Sequence, residues 1–253
     1  MFNYLKNYFA DWNWWDWSWV IVSSVIGTWL GIHWGEGGWQ TWLSVITMLT
    51  GLWCVILVAK GRILNYYIGI INILGYAYIA YTYELYGEVQ LNLLYYLPMS
   101  IIGIWVWVRN KNTMEPDMVS MRRMTWIQHL HWIGISVIGI FGYGIFLAGL
   151  GDPLPYLDAT STVLSIFGMY LLVQRYMEQW LMWIAVDLVS IVMWVLTIAE
   201  NGNADVAILV MWIAFLVNAV YGYISWRVLE FDQRVLAHED KYGTPYPQKN
   251  VLH

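Results

Sequence analysis

Charged residues are scarce in this chain, and their scarcity sets its class. Of 253 residues only 11% are charged, against roughly 25% in an average soluble domain, while 60% are hydrophobic. This composition excludes an ordinary soluble domain and predicts an integral membrane protein. The net charge of −5 says little about partners, because in a membrane protein the informative feature is which loops hold the Lys and Arg residues.

Other absences exclude several kinds of chemistry. One cysteine, Cys54, cannot form an intramolecular disulfide or a thiolate metal cluster. The five histidines show no metal-ligand spacing, and no glycine-rich phosphate loop ends in Lys followed by Ser or Thr. Every lysine lies in a loop or at a helix end, so a retinal Schiff base inside a helix is excluded. We expect no cofactor, no metal, no nucleic-acid partner and no enzymatic activity.

Long hydrophobic runs are what the chain has in abundance. Each is near the roughly 20 residues that a helix needs to cross a bilayer. Around the start of the first run, the five tryptophans from Trp12 to Trp19 predict an interfacial anchor. After the last run, the polar residues from about Phe231 predict a partly disordered tail. Hydropathy predicts eight membrane-spanning helices: 17–34, 39–59, 65–83, 89–108, 126–148, 156–173, 180–198 and 205–228.

The basic residues of the loops predict how the chain crosses the membrane. With eight crossings, all twelve Lys and Arg residues fall on one side. The loops of the other side contain seven acidic residues and no Lys or Arg. By the positive-inside rule the basic side is cytoplasmic. We therefore predict a multi-pass protein of the bacterial inner membrane with both termini in the cytoplasm.

Spaced matches along the chain indicate an internal repeat. Three residue pairs, separated by about 115 positions or a few more, match in order: Asn72 with Asp187, Gly103 with Gly222, and Trp107 with Trp226. Spans two to four and six to eight are then two copies of a three-helix unit. With the fifth span as a linker, both copies cross the membrane in the same direction. The predicted fold is an all-α polytopic membrane protein with a 3+1+3 core and one extra N-terminal helix.

The spans and the repeat divide the chain into five predicted parts. Parallel repeats of this kind bind a substrate between the halves near the middle of the membrane, so the architecture itself predicts a transporter. The parts are residues 1–38 (amphipathic segment and anchor helix), 39–108 (first repeat), 109–155 (linker helix with its loops), 156–230 (second repeat) and 231–253 (cytoplasmic tail).

One acidic residue lies inside a predicted span. Asp187 sits in the apolar run 180–196, where an ionised carboxylate costs at least about 3 kcal/mol by insertion scales. It should therefore face protein or a watery cavity. Trp183, four residues earlier, and Ser190, three residues later, share its helical face. The alternative is a buried Asp that is satisfied by a neighbouring helix.

Two amides lie near the middle of other predicted spans. Asn72 is in the third span and Asn218 in the eighth, and both should face inward because an unpaired amide in lipid is costly. Each offers two donors and an acceptor, which suits an amide or a sugar hydroxyl of a substrate. Hydrogen bonding between helices is an equally good interpretation.

Aromatic residues are the second component of the predicted site. Rings at helical spacing from a polar residue, or at comparable depth, can stack on a planar ligand or hold a cation. Interfacial and packing roles are the alternative for each. Gln90 and Asn92 open the fourth span, where they line an entrance or cap the helix. The aromatic candidates are Trp53, Tyr76, Trp183, Trp212 and Tyr221.

Several spaced motifs resemble the PnuC family of nicotinamide riboside transporters. The resemblance covers roughly residues 40–228 and leaves the N-terminal anchor and the tail outside. Because it combines several motifs, it is more specific than any one of them. The segments that carry it are 60–72, 85–90 and 97–107 in the first half, and in the second half 178–183 together with Asp187, Asn218, Gly222 and Trp226.

The resemblance implies a function and partners. It implies a core similar to that of SWEET sugar transporters, facilitated diffusion of nicotinamide riboside, trapping of the product by a cytoplasmic riboside kinase, and a homotrimer. We hypothesise that Asn72, Asp187 and Asn218 converge on this substrate. Two alternatives stay open, namely a transporter of thiamine or riboflavin on the same fold, and a membrane sensor that binds a ligand without moving it.

Overall fold

The computed structural model describes residues 9, 11–34, 38–82, 89–111, 118–151, 154–201 and 206–243. Within them the chain forms helices joined by turns, and the only β-type pairs are isolated bridges. The predicted all-α class is therefore confirmed. The helices are α1 (Trp14–Trp34), α2 (Gly38–Ala59), α3 (Leu64–Thr82), a π segment (Leu91–Tyr96) that continues into α4 (Leu97–Arg109), α5 (Trp126–Gly149), α6 (Pro155–Val173), α7 (Gln179–Asn201) and α8 (Val206–Tyr242).

Among the described residues, five helices are long and apolar enough to cross a membrane. They are α2, α4 with its π segment, α5, α6 and the part of α8 from Trp212 onward, while the apolar part of α7, Gln179–Met193, is shorter. A helix also lies at each of the eight runs that hydropathy singled out. These helices confirm the predicted class of polytopic membrane protein.

The chain divides into two compact units, the first ending at Val119 and the second beginning at Ser120. In the first unit, α1 packs on α2, α2 packs on α3, and α3 packs on both the π segment and α4. In the second unit, α5 packs on α6, α6 on α7, and α7 on α8. Each unit thus contains three successive helices that pack in chain order, preceded by one further helix.

One aromatic contact recurs in both units. In each, a ring near the start of one helix lies over a glycine of the next, so closely that a Cβ on that glycine would clash with the ring. The same ring meets a fully buried tryptophan edge-on, with centroids 5.0 Å apart in the first unit and 6.3 Å apart in the second. The matched Gly and Trp positions therefore make the same contact twice. The two sets are Tyr66, Gly103 and Trp107, and Trp180, Gly222 and Trp226.

The segment before α1 packs into the first unit. The ring of Trp12 lies 4.9 Å from that of Phe9, 4.8 Å from that of Trp17 and 5.7 Å from that of Trp53. Trp12 is 8% exposed, whereas Trp14 is 76% exposed. The prediction of an interfacial anchor is therefore wrong for Trp12, because its ring has aromatic partners inside the protein.

The polar end of the chain continues α8 as a helix. Residues 231–242 are helical, so the prediction of a disordered tail is wrong for them; residues 244–253 lie outside the described part. An ion pair one turn apart, Glu230 with Arg234 at 2.8 Å, supports this extension. The helix ends at Gly243, whose positive φ of 63° and N–H bond to Glu239 are typical of a glycine cap.

Candidate functional site

A buried carboxylate holds the start of α7. Glu178 precedes the helix and is 4% exposed. Its Oε1 accepts a hydrogen bond from the backbone N–H of Met124 at 3.0 Å and lies 3.6 Å from Nε2 of His129. Burial raises the pKa of this carboxyl, while the Met124 N–H and the charges of His129 and Arg123 act in the opposite direction. These contacts fix where α7 begins and so position the side chains along it.

Trp183 is held in place one turn further along α7. Its indole Nε1 donates to Oε1 of the fully buried Gln179 at 3.2 Å. Its ring lies against Gly168 of α6, where a Cβ would come 3.0 Å from the ring atom Cε2. The ring itself is only partly buried. A positioned and partly accessible indole is what stacking on a planar ligand requires.

Asp187 lies one turn beyond Trp183. It is 4% exposed and shares its helical face with Ser190, which is 5% exposed. Among the residues that the structure describes, none donates a hydrogen bond to the Asp187 carboxylate or forms an ion pair with it. The alternative of an Asp satisfied by a neighbouring helix therefore has no support within the described part of the chain. A buried carboxylate needs a partner, and a ligand can supply one.

The neighbouring helix α8 carries three further predicted residues. Asn218 is 5% exposed, and its Oδ1 has no hydrogen-bond partner among the described residues. Tyr221 is partly buried. Trp212 meets Phe215 edge-on at 5.8 Å, and its indole N–H is likewise buried without a partner in the described part. Because α7 packs on α8, the second unit holds unsatisfied polar groups on two adjacent helices.

In the first unit, Asn72 joins two helices. Its Nδ2 donates to the backbone carbonyl of Thr47 on α2 at 2.7 Å, and it packs against Gly51 of the same helix. The interpretation as a bond between helices is therefore correct for one donor of this amide. Its second N–H and its carbonyl oxygen have no partner among the described residues, so they are available to a ligand.

The other two predicted residues on α2 and α3 differ in surroundings. Tyr76, one turn after Asn72, is 40% exposed. Trp53 is partly buried, and one of its neighbours is the Trp12 ring. Trp53 therefore has a packing role, which the sequence offered as the alternative for every aromatic candidate.

The π segment before α4 contains the last two predicted residues. Gln90 is exposed and makes no side-chain cap, so its interpretation as a cap is wrong. Asn92 is 5% exposed, and its carbonyl accepts the wide-turn bond from the Leu97 N–H. Pro98 explains the wide turn, because it has no N–H to give to the preceding turn. π turns inside helices are frequent at functional sites.

Two residues that position the site were not among the predicted candidates. Gln179 orients the Trp183 indole, and Gly168 makes room for it. Gln179 falls inside the 178–183 motif, so the motif contained a signal for it. For Gly168 there was no signal, because its role depends on which helix packs against α7.

A model of the nicotinamide mononucleotide transporter family matches residues 41–228. The chain belongs to this family. The description of the family confirms the prediction of a transporter, and relatives named PnuC confirm the resemblance identified from the spaced motifs.

Individual members of the family show how far the similarity extends. The nicotinamide riboside transporter PnuC of Neisseria mucosa is 39% identical over 193 residues, which cover 75% of this chain and 73% of that one. The PnuC of Haemophilus influenzae is 29% identical over 225 residues, covering 88% and 94%. A crystal structure of the vitamin B3 transporter PnuC matches with a TM-score of 0.75 and 34% identity, covering 91% and 97%. The similarity therefore extends over most of the fold.

Proposed function

We propose that this protein carries nicotinamide riboside across the bacterial inner membrane by facilitated diffusion. The main support is family membership, together with 39% identity to a protein named nicotinamide riboside transporter. Further support comes from the buried polar side chains and the positioned indole of α7 and α8. A sensor that binds without transport would share these features, so uptake must be measured directly.

The chemistry of the substrate fits the side chains that lack partners. Nicotinamide riboside has a flat cationic pyridinium ring, a carboxamide and ribose hydroxyls. We propose that Trp183 stacks on the pyridinium, since an indole face attracts a cation. Asn218 and Asn72 pair with the carboxamide or the hydroxyls through their open amide groups. Asp187 balances the positive charge or accepts from a hydroxyl.

Transport is proposed to run without an ion gradient. Asp187 is the one acid near the middle of the predicted spans, and proton or sodium coupling usually uses several intramembrane acids or bases. Facilitated diffusion stops at electrochemical equilibrium, so accumulation of the substrate beyond that point needs a later step. We propose that a cytoplasmic riboside kinase supplies this step, because a phosphorylated product no longer fits a carrier for the unphosphorylated riboside.

The proposed topology and assembly follow the sequence. Eight crossings with both termini in the cytoplasm would place all twelve basic residues on the inner side. The homotrimer is proposed from the family resemblance. Accessibility labelling of single cysteines near each terminus tests the topology, and termini on opposite faces would contradict it.

Uptake of labelled nicotinamide riboside into proteoliposomes tests the function. Uptake should exceed that of empty vesicles and should persist when proton and sodium gradients are abolished. Unlabelled nicotinamide riboside should compete, while thiamine and riboflavin should not. Uptake no greater than in empty vesicles would favour a sensor, and competition by thiamine or riboflavin alone would assign another vitamin.

Binding calorimetry with the purified protein tests the proposed residues. Asn72→Ala, Asp187→Ala and Asn218→Ala should each weaken riboside binding by about 10-fold, the loss of one hydrogen bond of about 1.4 kcal/mol. Asn110→Ala is the matched control, because the Asn110 amide donates to the carbonyl of Val106 at the end of α4. Unchanged binding in all three variants would show that the substrate binds elsewhere.

A further inference from the structure

The turn between α2 and α3 holds two cations that the chain itself neutralises. Nζ of Lys60 lies 2.6 Å from Oδ2 of Asp16, and Nη2 of Arg62 lies 2.9 Å from Oδ1 of Asp11. Both cationic side chains are almost fully buried, with 7% and 5% exposed. Because an unpaired buried charge is costly, Asp11 ahead of α1 and Asp16 in its first turn are what allows these cations at the turn.

The turn between α6 and α7 repeats the backbone of the α2–α3 turn. Gly61 has a positive φ of 63° and Arg175 one of 67°. The carbonyl of Gly61 accepts a bond from the Val119 N–H at 3.0 Å, and the carbonyl of Arg175 accepts one from the Arg122 N–H at 2.8 Å. The two turns therefore have a left-handed residue at the same place, and in both its carbonyl accepts a bond from the segment ahead of α5. The bridges beside the turns differ in direction, since Arg62 pairs with Met118 in antiparallel and Arg122 with Tyr176 in parallel orientation.

An arginine at the left-handed position is unexpected. This conformation costs a residue with a Cβ roughly 1 kcal/mol, whereas glycine adopts it freely. Arg175 is the one non-glycine residue with positive φ in the described part of the chain, and the equivalent turn uses Gly61. Glycine would adopt this backbone conformation at a lower free energy, so the arginine side chain must have a role that offsets the cost.

The Arg175 side chain lies close to a second cation. Its Nη1 donates to the carbonyl of Ser120 at 2.9 Å, and its Nε is buried without a partner among the described residues. Burial lowers the pKa of Arg175, and the charge of Arg122 lowers it further. The Arg122 guanidinium itself is exposed and lies 4.5 Å from the centre of the Tyr176 ring.

No carboxylate of the described chain neutralises these two arginines. Within 4 Å of either guanidinium the described residues provide no Asp or Glu oxygen. Oε1 of the nearby Glu178 accepts from the Met124 N–H and lies beside His129, and its Oε2 makes no bond to either arginine. Glu230 on α8 is paired with Arg234. Like its counterpart, the α6–α7 turn therefore has two cations beside it, but they lie at other positions: Arg175 is the left-handed residue itself, and Arg122 is in the segment that bonds to it. The described residues provide no acid for either.

We propose that Arg122 and Arg175 bind a phosphate group at the α6–α7 turn, where it neutralises them as Asp11 and Asp16 neutralise the α2–α3 turn. Guanidinium groups suit phosphate because they offer several donors in one plane. The turn joins two membrane helices at their ends, which is the level of lipid headgroups. Anionic lipids of the inner leaflet attract basic residues there, by about 1 kcal/mol for each Lys or Arg. The phosphate belongs to such a headgroup, and a soluble phosphate is the other source to be tested.

Thermal unfolding of the full-length protein in neutral detergent tests this site. Adding phosphatidylglycerol should raise the unfolding midpoint by about 2–4 °C, the shift expected for about 1 kcal/mol in a chain of this size. Phosphatidylcholine should not. Arg122→Gln and Arg175→Gly should each lose at least half of the rise. Arg175→Gly also removes the left-handed arginine, so without lipid it should unfold no earlier than the unchanged protein, which separates loss of binding from loss of folding.

Arg109→Gln is the matched control. Arg109 is exposed at the end of α4 and lies over the Trp105 ring, so its loss changes the net charge equally and should leave the rise intact. A rise with inorganic phosphate that disappears in Arg122→Gln and Arg175→Gly would assign the site to a soluble phosphate. An equal rise with phosphatidylglycerol in all four proteins, or no rise with either anion, would overturn the proposal. These outcomes do not depend on which substrate the protein carries.

Discussion

The α2–α3 pair of the first unit and the α6–α7 pair of the second unit each pack closely at a glycine. That glycine lies on the second helix of the first pair and on the first helix of the second pair. Three residues after the ring that covers a glycine, the first unit has Gly69 on α3, where a Cβ would lie 3.1 Å from Sγ of Cys54 on α2. At the same place the second unit has Trp183 on α7, and the small residue is Gly168 on α6. In the first unit no large side chain of the described residues lies between the two helices at this point, whereas in the second unit the Trp183 indole lies there against Gly168.

The α2–α3 and α6–α7 turns also differ in their side chains while sharing a left-handed turn. Both have the same backbone, yet the first has its cations paired with acids of the chain, and the second does not within the described residues. Contacts of the backbone and of glycine are kept in both copies, while exposed or polar side chains differ. The differences fall at the two places where we propose that the second unit binds a ligand, namely the Trp183 ring and the α6–α7 turn.

Breaking the buried ion pair of the first turn should have the largest effect. Asp16→Asn leaves Lys60 buried without its counter-charge and should lower the free energy of unfolding by about 3–5 kcal/mol. In the native protein the Asp16 carboxylate accepts a hydrogen bond from the Asn13 N–H at 2.8 Å. The side-chain oxygen of the substituted asparagine can accept the same bond, so the start of α1 is preserved. Denaturant unfolding in detergent measures the effect.

Two controls belong to this measurement. Asp11 is 30% exposed, so water screens its pair with Arg62 and Asp11→Asn should cost less than Asp16→Asn. Arg122 is exposed, so Arg122→Gln in the second turn should cost under about 1 kcal/mol. If Asp16→Asn costs no more than Arg122→Gln, the proposed difference between a self-neutralised turn and an open one is wrong.

Filling the repeated glycine contact should affect both units similarly. Gly103→Ala and Gly222→Ala place a Cβ against Tyr66 and Trp180, and overpacking of this kind costs about 1–3 kcal/mol. Gly142→Ala is the control, because nothing lies within 4 Å of a Cβ there, and alanine favours a helix. Unfolding midpoints compare the three, and a large effect at one glycine only would mean that the contact is not shared.

Removing the indole that distinguishes the second unit should affect binding more than folding. Trp183→Ala should weaken riboside binding by about 10-fold, the loss of one stacking contact of about 1.4 kcal/mol, and Trp183→Phe should restore part of it. Trp126→Ala removes an indole that is 74% exposed and should bind normally. Calorimetry measures riboside binding to each variant. Unchanged binding in Trp183→Ala would show that the Trp183 ring has only a packing role.

The smallest effect should be a pH dependence at the start of α7. Because burial raises the pKa of Glu178, the folded protein holds a proton that the unfolded chain releases at lower pH. Stability should therefore fall as pH rises from the pKa of a free Glu, about 4.3, to the raised value. Glu178→Gln should lack this fall when unfolding midpoints are compared across that range. An equal slope in both proteins would contradict the assignment.

Much of the site was predictable, but only as separate residues. Asp187, Asn218 and Asn72 could be singled out because a polar side chain in an apolar run is visible in the sequence alone. That Asn72 gives one donor to Thr47, and that Trp53 packs on Trp12, was not predictable. Such contacts depend on which helices pack together and at what rotation.

The sequence by itself determined the membrane class, the positions of the helices and the matched Gly and Trp positions of the two units, because hydropathy and spaced motifs are properties of the chain read in order. Only the tertiary structure decided which charges are neutralised. Lys60 is paired with an acid far away in the sequence, while Arg175 and Arg122 lie together without one among the described residues. Burial and pairing depend on distances of a few ångströms between distant segments, and packing alone sets these distances.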